Sequence, residues 1–274
     1  MNRSIAALGA CLLIGGGALA QTVQERPALK DVFKDAFVVG TAVNNAIVSG
    51  KDPESRALVL RHFASITADN AMKAGPINPR PGEFNFGPAD AFVAFGEAHG
   101  MFIVGHTLVW HNQTPPWFFQ DESGKTNAPA AQIERMRSHI ETVAGRYKGR
   151  VHAWDVVNEV IDNDGSYRPT SWVNAVGNGD ELVKAAFRFA SQYAPGTELY
   201  YNDFNAWRPA KRDGIVRMVK MLKAEGIRID GIGMQGHWGL NYPKSEYIES
   251  AIDAFAALGV KVMITELDVD VLPL

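Results

Sequence analysis

The chain has 274 residues, 27 basic against 30 acidic, for a formal net charge of −3. With 46 % hydrophobic and 21 % charged residues it has a globular composition, which excludes a disordered tail and a strongly basic nucleic-acid binder. Its 26 glycines and 14 prolines show no repeat period, excluding collagen-like and low-complexity architectures.

Arg3 precedes an uncharged apolar run, Ile5–Leu19, and Ala18-Leu19-Ala20 fits an A-x-A cleavage site before Gln21. Residues 1–20 therefore read as a secretory signal peptide whose apolar stretch is short for a membrane span. The expectation is a secreted or periplasmic mature chain, residues 21–274, without stable membrane insertion. Leu8-Gly9-Ala10-Cys11 resembles a lipoprotein box, which leaves anchoring at Cys11 as the alternative. Cleavage after Ala20 removes the only cysteine, so the mature chain has no disulfide and relies on its core.

From Leu29 onward, short apolar runs alternate with longer amphipathic stretches. The predicted strands are Phe37–Ala42, Ser65–Ala68, Phe102–Leu108, His152–Val157, Glu198–Asn202, Gly231–Gln235 and Val260–Glu266. Most are nearly continuous in apolar residues, as strands covered on both faces tend to be. The predicted helices are Pro53–His62, Pro88–Gly100, Ala128–Tyr147, Glu181–Tyr193, Pro209–Glu225 and Lys244–Leu258. Asp52-Pro53 and Pro88 mark helix starts, and Gly100, Gly226 and Gly259 mark stops. Strand–helix alternation without a linker implies one α/β domain with a parallel sheet. No G-x-G-x-x-G follows a strand: Gly15-Gly16-Gly17 lies in the leader and Gly231-Ile232-Gly233 on a strand, so a dinucleotide-binding sheet lacks support. His106, Asn158-Glu159, Asn202-Asp203, Gln235 with His237, and Glu266 all fall at or just beyond strand C-termini. In a barrel those ends converge on one rim, where active sites sit. The reading is a (β/α)8 TIM barrel.

Glu159 and Glu266 each close an apolar run, where a carboxylate is costly unless paired or useful. Two carboxylates facing across a barrel mouth suit glycosidic cleavage, with about 5–5.5 Å between them for retention and more for inversion. Like charges about 5 Å apart repel by roughly 3 kcal/mol at an effective dielectric near 20, or about two pKa units, enough to keep one of a pair protonated. Such a pair divides naturally into an acid and a nucleophile.

Six segments, in order, carry a family resemblance. Gly105-His106-Thr107-Leu108-Val109-Trp110-His111, Trp154-Asp155-Val156-Val157-Asn158-Glu159 and Thr265-Glu266-Leu267-Asp268-Val269 resemble the signatures of glycoside hydrolase family 10, the endo-1,4-β-xylanases. Asp69-Asn70-Ala71-Met72-Lys73, Tyr201-Asn202-Asp203-Phe204-Asn205 and Gly233-Met234-Gln235-Gly236-His237-Trp238 agree with it. The resemblance spans Leu29 to Val271. It implies a retaining enzyme acting on xylan or xylo-oligosaccharides, with Glu159 as acid/base, Glu266 as nucleophile and no cofactor; no nucleic-acid partner and a monomeric state are separate expectations. It further implies that Asn158 hydrogen-bonds the sugar 2-hydroxyl, that His237 holds the nucleophile, and that Gln235 adds a polar contact near the nucleophile. Asn70, Lys73 and His106 resemble glycone-side contacts, Trp110 a stacking platform, and Asn202 a further substrate contact, with building the rim as its alternative.

Two departures from the family pattern stand out. Asp69 replaces the usual glutamate and is one methylene shorter, which weakens a contact in the second glycone subsite. Leu274 also follows Glu266 closely, so an eighth strand and the last helices are not encoded in this sequence. The expectation is a C-terminally incomplete barrel, with an unclosed seam and two bare strand edges. Competing readings are an exported β-glycan-binding degenerate barrel, a hydrolase of another β-1,4-glycan, and a metal-dependent hydrolase using His106, His111 and His237, although no H-x-H or H-E-x-x-H pair is present. Asn112-Gln113-Thr114 matches a glycosylation acceptor.

Overall fold

The computed structural model describes residues 26–272; the leader Met1–Ala20, with Cys11 and its cleavage site, lies outside them. Apolar runs form the strands β1 (Gly40–Val43), β2 (Ser65–Ala68), β3 (Phe102–Val109), β4 (Ala153–Asn158), β5 (Glu198–Asp203), β6 (Gly231–Met234), β7 (His237–Gly239), β8 (Lys261–Ile264) and β9 (Asp268–Asp270). The α-helices among the described residues are α1 (Leu29–Val32), α2 (Asn45–Ser49), α3 (Pro53–His62), α4 (Ala74–Ile77), α5 (Gly87–Ala98), α6 (Pro129–Arg146), α7 (Ser171–Val176), α8 (Gly179–Tyr193), α9 (Pro209–Ala224) and α10 (Ser245–Ala256), with a 3-10 turn at Pro116–Phe119.

Seven strands pair in parallel in the order β1-β2-β3-β4-β5-β6-β8. Each new strand adds beside the previous one, so the order never reverses. A doubly wound sheet reverses at a switch point; a sheet that always grows in one direction is that of a barrel wall. β7 and β9 form a separate two-stranded ribbon that hydropathy did not reveal, each being only three residues long.

Helix ends follow local chemistry. Asp52 caps α3 by accepting the Ser55 N–H at 3.0 Å, with Pro53 at the first helical position. Asn178 caps α8, accepting from Glu181 N–H at 3.2 Å, so that helix starts two residues earlier than predicted. Gly100, Gly226 and Gly259, the predicted stops, all have positive φ.

Two strand predictions need correction. The first strand begins at Gly40, because Phe37 and Val38 are 58 % and 64 % exposed and lead into the sheet rather than belonging to it. The last ends at Ile264, leaving Glu266 just beyond it. β3 and β4 are nearly or wholly buried, whereas β1 and β8, at the two edges of the sheet, are largely exposed or half-buried. Continuous apolarity therefore predicts cover on both faces only for the central strands.

Inside the sheet, large and small residues alternate between neighbours. Gly105 of β3 is in register with Trp154 of β4, which is fully buried. A Cβ at Gly105 would lie 2.3 Å from the Trp154 ring. Gly105→Ala is expected to destabilise the protein by about 1–3 kcal/mol through overpacking, read as a lower urea midpoint with an unchanged slope. An unchanged midpoint contradicts this packing account.

Candidate active site

The C-terminal ends of β4, β5, β6 and β8 are aligned by register, Asn158 beside Asn202 and Asn202 beside Gly233. The ladder continues past the strands: Glu159 N–H donates to Asn202 O at 2.9 Å, Gln235 N–H to Asp203 O at 3.0 Å, and Glu266 N–H to Gln235 O at 2.8 Å. Both glutamates are thus fixed through backbone on the same rim.

Asn202 is the hub and is wholly buried. Its Nδ2 donates to Asn158 Oδ1 at 2.9 Å and to Glu266 Oε1 at 2.8 Å, and its Oδ1 accepts from the Thr265 hydroxyl at 2.6 Å. That reach, from β5 across β6 to the end of β8, is possible because position 233 is glycine. A Cβ there would lie 2.4 Å from Asn202 Oδ1 and 2.8 Å from Thr265 Cγ2. The sequence suggests a substrate contact or a rim residue at Asn202, whereas its side chain is buried and its amide is given to Asn158, Glu266 and Thr265, a place at the centre of the network that shows only in three dimensions.

Glu159, with a side chain 11 % exposed, leaves β4 at a φ of +61°. A left-handed non-glycine residue costs about 1–3 kcal/mol and persists only where its surroundings hold it. Its Oε1 accepts from Gln235 Nε2 at 3.0 Å and Asn158 Nδ2 at 3.3 Å. The sequence reading placed Gln235 near the nucleophile. Its carboxamide instead donates to Glu159 and Asn158, while its main-chain carbonyl accepts the Glu266 N–H. Asn158 Oδ1 is taken by Asn202 and, at 3.5 Å, by Gln235. His111 Nε2 lies 4.0 Å from Glu159 Oε2. Burial pulls the His111 pKa below the usual imidazole value, the Glu159 charge opposing this and Arg168 adding to it.

Glu266, with a side chain 32 % exposed, is 3.3 Å from His237 Nε2, and the other imidazole nitrogen lies 2.5 Å from Asp268 Oδ2. This pairing explains the small ribbon: β7 and β9 place His237 opposite Asp268 in register. Burial works against the His237 imidazolium, but the hydrogen bond and charge of Asp268, with Glu266, outweigh it and raise the pKa. Asp268→Asn is expected to lower the His237 titration midpoint, followed by NMR of the ring protons. An unmoved midpoint would show that Asp268 is not the source.

A third group lines the β2 side of the rim. Lys73 Nζ donates to Asn70 Oδ1 at 3.0 Å and sits 4.9 Å from the Trp110 ring centroid. Burial pulls the Lys73 ammonium below the lysine range, opposed by Asp69, Glu266 and Glu159, so one cation senses both catalytic candidates. Asp69 is exposed and Trp110 half-buried, the indole presenting a face to Lys73. Gln113 Nε2 also donates to Asn70 Oδ1, at 3.2 Å. In the sequence Gln113 stands out only as the middle of a glycosylation pattern. His106 is buried, its Nδ1–H donating to Asp155 Oδ2 at 2.8 Å. Asp155 was also missed, although a carboxylate within the apolar run Trp154–Val157 was a visible signal. His106, His111 and His237 pair with different carboxylates, and among the described residues no three metal-ligating side chains gather at one point. No helix among them is long and apolar enough to cross a membrane.

Two carboxylates just past the ends of two strands of a barrel wall, linked through buried amides, define a glycoside hydrolase of the two-carboxylate class. The chain belongs to glycosyl hydrolase family 10, whose model matches residues 28–273. It is 45 % identical to endo-1,4-beta-xylanase A of Xylanibacter ruminicola over 255 residues, covering 93 % of this chain and 69 % of that protein. It is 43 % identical to an endo-1,4-beta-xylanase of Geobacillus stearothermophilus, covering 89 % of this chain and 72 % of that protein. Among solved structures, a GH10 endoxylanase retrieved from a sugarcane soil metagenome superposes with a TM-score of 0.87 at 45 % identity, covering 90 % of this chain and 71 % of the other.

Proposed function

We propose that this chain is a retaining endo-β-1,4-xylanase with Glu266 as nucleophile and Glu159 as acid/base. The observation that carries the reading is the buried amide bridge Glu159–Asn158–Asn202–Glu266, which couples the two carboxylates across four adjacent strands, β4 to β8. In the first step Glu266 attacks the anomeric carbon while Glu159 gives its proton to the departing oxygen, leaving a glycosyl ester. In the second, Glu159 takes a proton from water as that water displaces Glu266, and the two inversions sum to retention. The division of labour follows from the surroundings. Glu266 is partly open and has an amide and an imidazole on its two oxygens, which hold it in one orientation, as suits a nucleophile. Glu159 is nearly enclosed, as suits a proton donor. Asn70, Lys73, His106 and Trp110 read the glycone side in this proposal, and the shorter Asp69 contacts it more weakly. A non-catalytic β-glycan-binding role is disfavoured by the intact carboxylate pair.

The test is xylan hydrolysis followed by viscosity, reducing ends and NMR together. The expected result is a steep fall in viscosity at few cleavages, with the β-anomer appearing first. An α-first product, or release of end sugars only, overturns the reading. We further propose that Met1–Ala20 directs export, with Gln21 as the mature N-terminus, checked by sequencing the exported protein.

A further inference from the structure

Behind Glu159 lies a polar cluster that the proposed chemistry does not use. Lys211, 0 % exposed, places Nζ 2.6 Å from Asp203 Oδ1, itself 1 % exposed. The other oxygen of Asp203 accepts from the Tyr201 hydroxyl. That hydroxyl accepts in turn from two main-chain amides, Val160 N–H at 3.1 Å and Ile161 N–H at 3.0 Å. With both lone pairs engaged, its own hydrogen has only Asp203 to go to, so the network has one arrangement.

Stability explains such a cluster poorly. Burial pushes Asp203 up and Lys211 down, and a buried ion pair of this kind is often replaceable by apolar residues without loss. What the cluster does hold is specific. Val160 and Ile161 directly follow Glu159, the residue that turns out of β4 in the left-handed region. Their amides point inward to a side chain, not into a strand ladder, and so set the direction in which the chain leaves the rim.

We propose that Tyr201, fixed by the Asp203–Lys211 pair, is a positioning residue that clamps the turn after Glu159 and aims its carboxyl at the departing oxygen. This rests on Glu159 being the acid/base.

The test compares kcat/KM, which reports the first step, on two aryl xylobiosides. Phenolate must be protonated as it leaves, whereas 2,4-dinitrophenolate leaves unaided. Tyr201→Phe, which removes only the hydroxyl, is expected to lose roughly 10–100-fold on the phenyl substrate, within the range available to acid catalysis. On the dinitrophenyl substrate it is expected to stay within about twofold, for want of any proton transfer to disturb. The double variant Asp203→Leu/Lys211→Met leaves the hydroxyl but frees its hydrogen, and is expected to show the same selective loss. It also carries the test if Tyr201→Phe fails to fold, with a thermal transition above assay temperature as the entry condition for either variant. Equal losses on both substrates, or no loss on either, overturn the proposal. Should the unmodified protein cleave neither substrate, it is the functional reading that fails.

Discussion

Glu266→Ala is expected to lower xylan hydrolysis by on the order of 10⁶-fold, the scale seen when a covalent nucleophile is removed. Glu159→Ala is expected to lose less, about 10²–10⁴-fold, the usual contribution of one acid/base. Size alone does not assign the roles, but stereochemistry does. With 2,4-dinitrophenyl xylobioside as donor and azide as external nucleophile, the Glu266→Ala cavity admits azide on the nucleophile's face. One displacement then gives an α-glycosyl azide. In Glu159→Ala the ester still forms on Glu266, and azide enters from the vacated acid/base face. Two displacements give the β-glycosyl azide. Opposite anomers from the two variants, read by NMR, support the assignment; the same anomer from both, or the reverse pairing, overturns it.

How much of this was legible beforehand depended on distance along the chain. The central strands were readable because a parallel strand buried on both sides must be apolar throughout, and their C-terminal polar residues then stood out as a rim. The edge strand at Gly40 was misplaced because Phe37 and Val38 are apolar without being buried. Within the site, the glutamates were visible as carboxylates ending apolar runs. The resemblance also named His237 as the partner of Glu266, but what holds the partners in place was not legible, since Asn202 and Thr265, or His237 and Asp268, meet only after strands pair in a particular register. Gln235 shows the limit most clearly: strand alternation gives the side of the sheet, not which of two nearby glutamates a flexible carboxamide will choose.

The register argument leads to Asn202→Asp, an isosteric change at the hub. The native Nδ2 has two hydrogens, one for Asn158 and one for Glu266. An aspartate supplies at most one, so either Asn158 Oδ1 or Glu266 loses its donor. If the new carboxyl ionises it puts a like charge beside Glu266, worth roughly 4 kcal/mol at 4 Å and an effective dielectric near 20. Sharing of one proton relieves part of that repulsion, but the pair remains harder to ionise fully than a single carboxyl. A carboxylate whose pKa is raised is lost as nucleophile at a higher pH. The acidic limb of the kcat/KM profile should therefore move to higher pH, with a loss of about 10–100-fold on that limb that shrinks as pH rises. Asn202→Ala removes the donor without adding charge, so its loss should be nearly independent of pH. If both variants give the same profile shape, Asn202 acts by filling space, and the amide bridge between the two carboxylates has no electrostatic role.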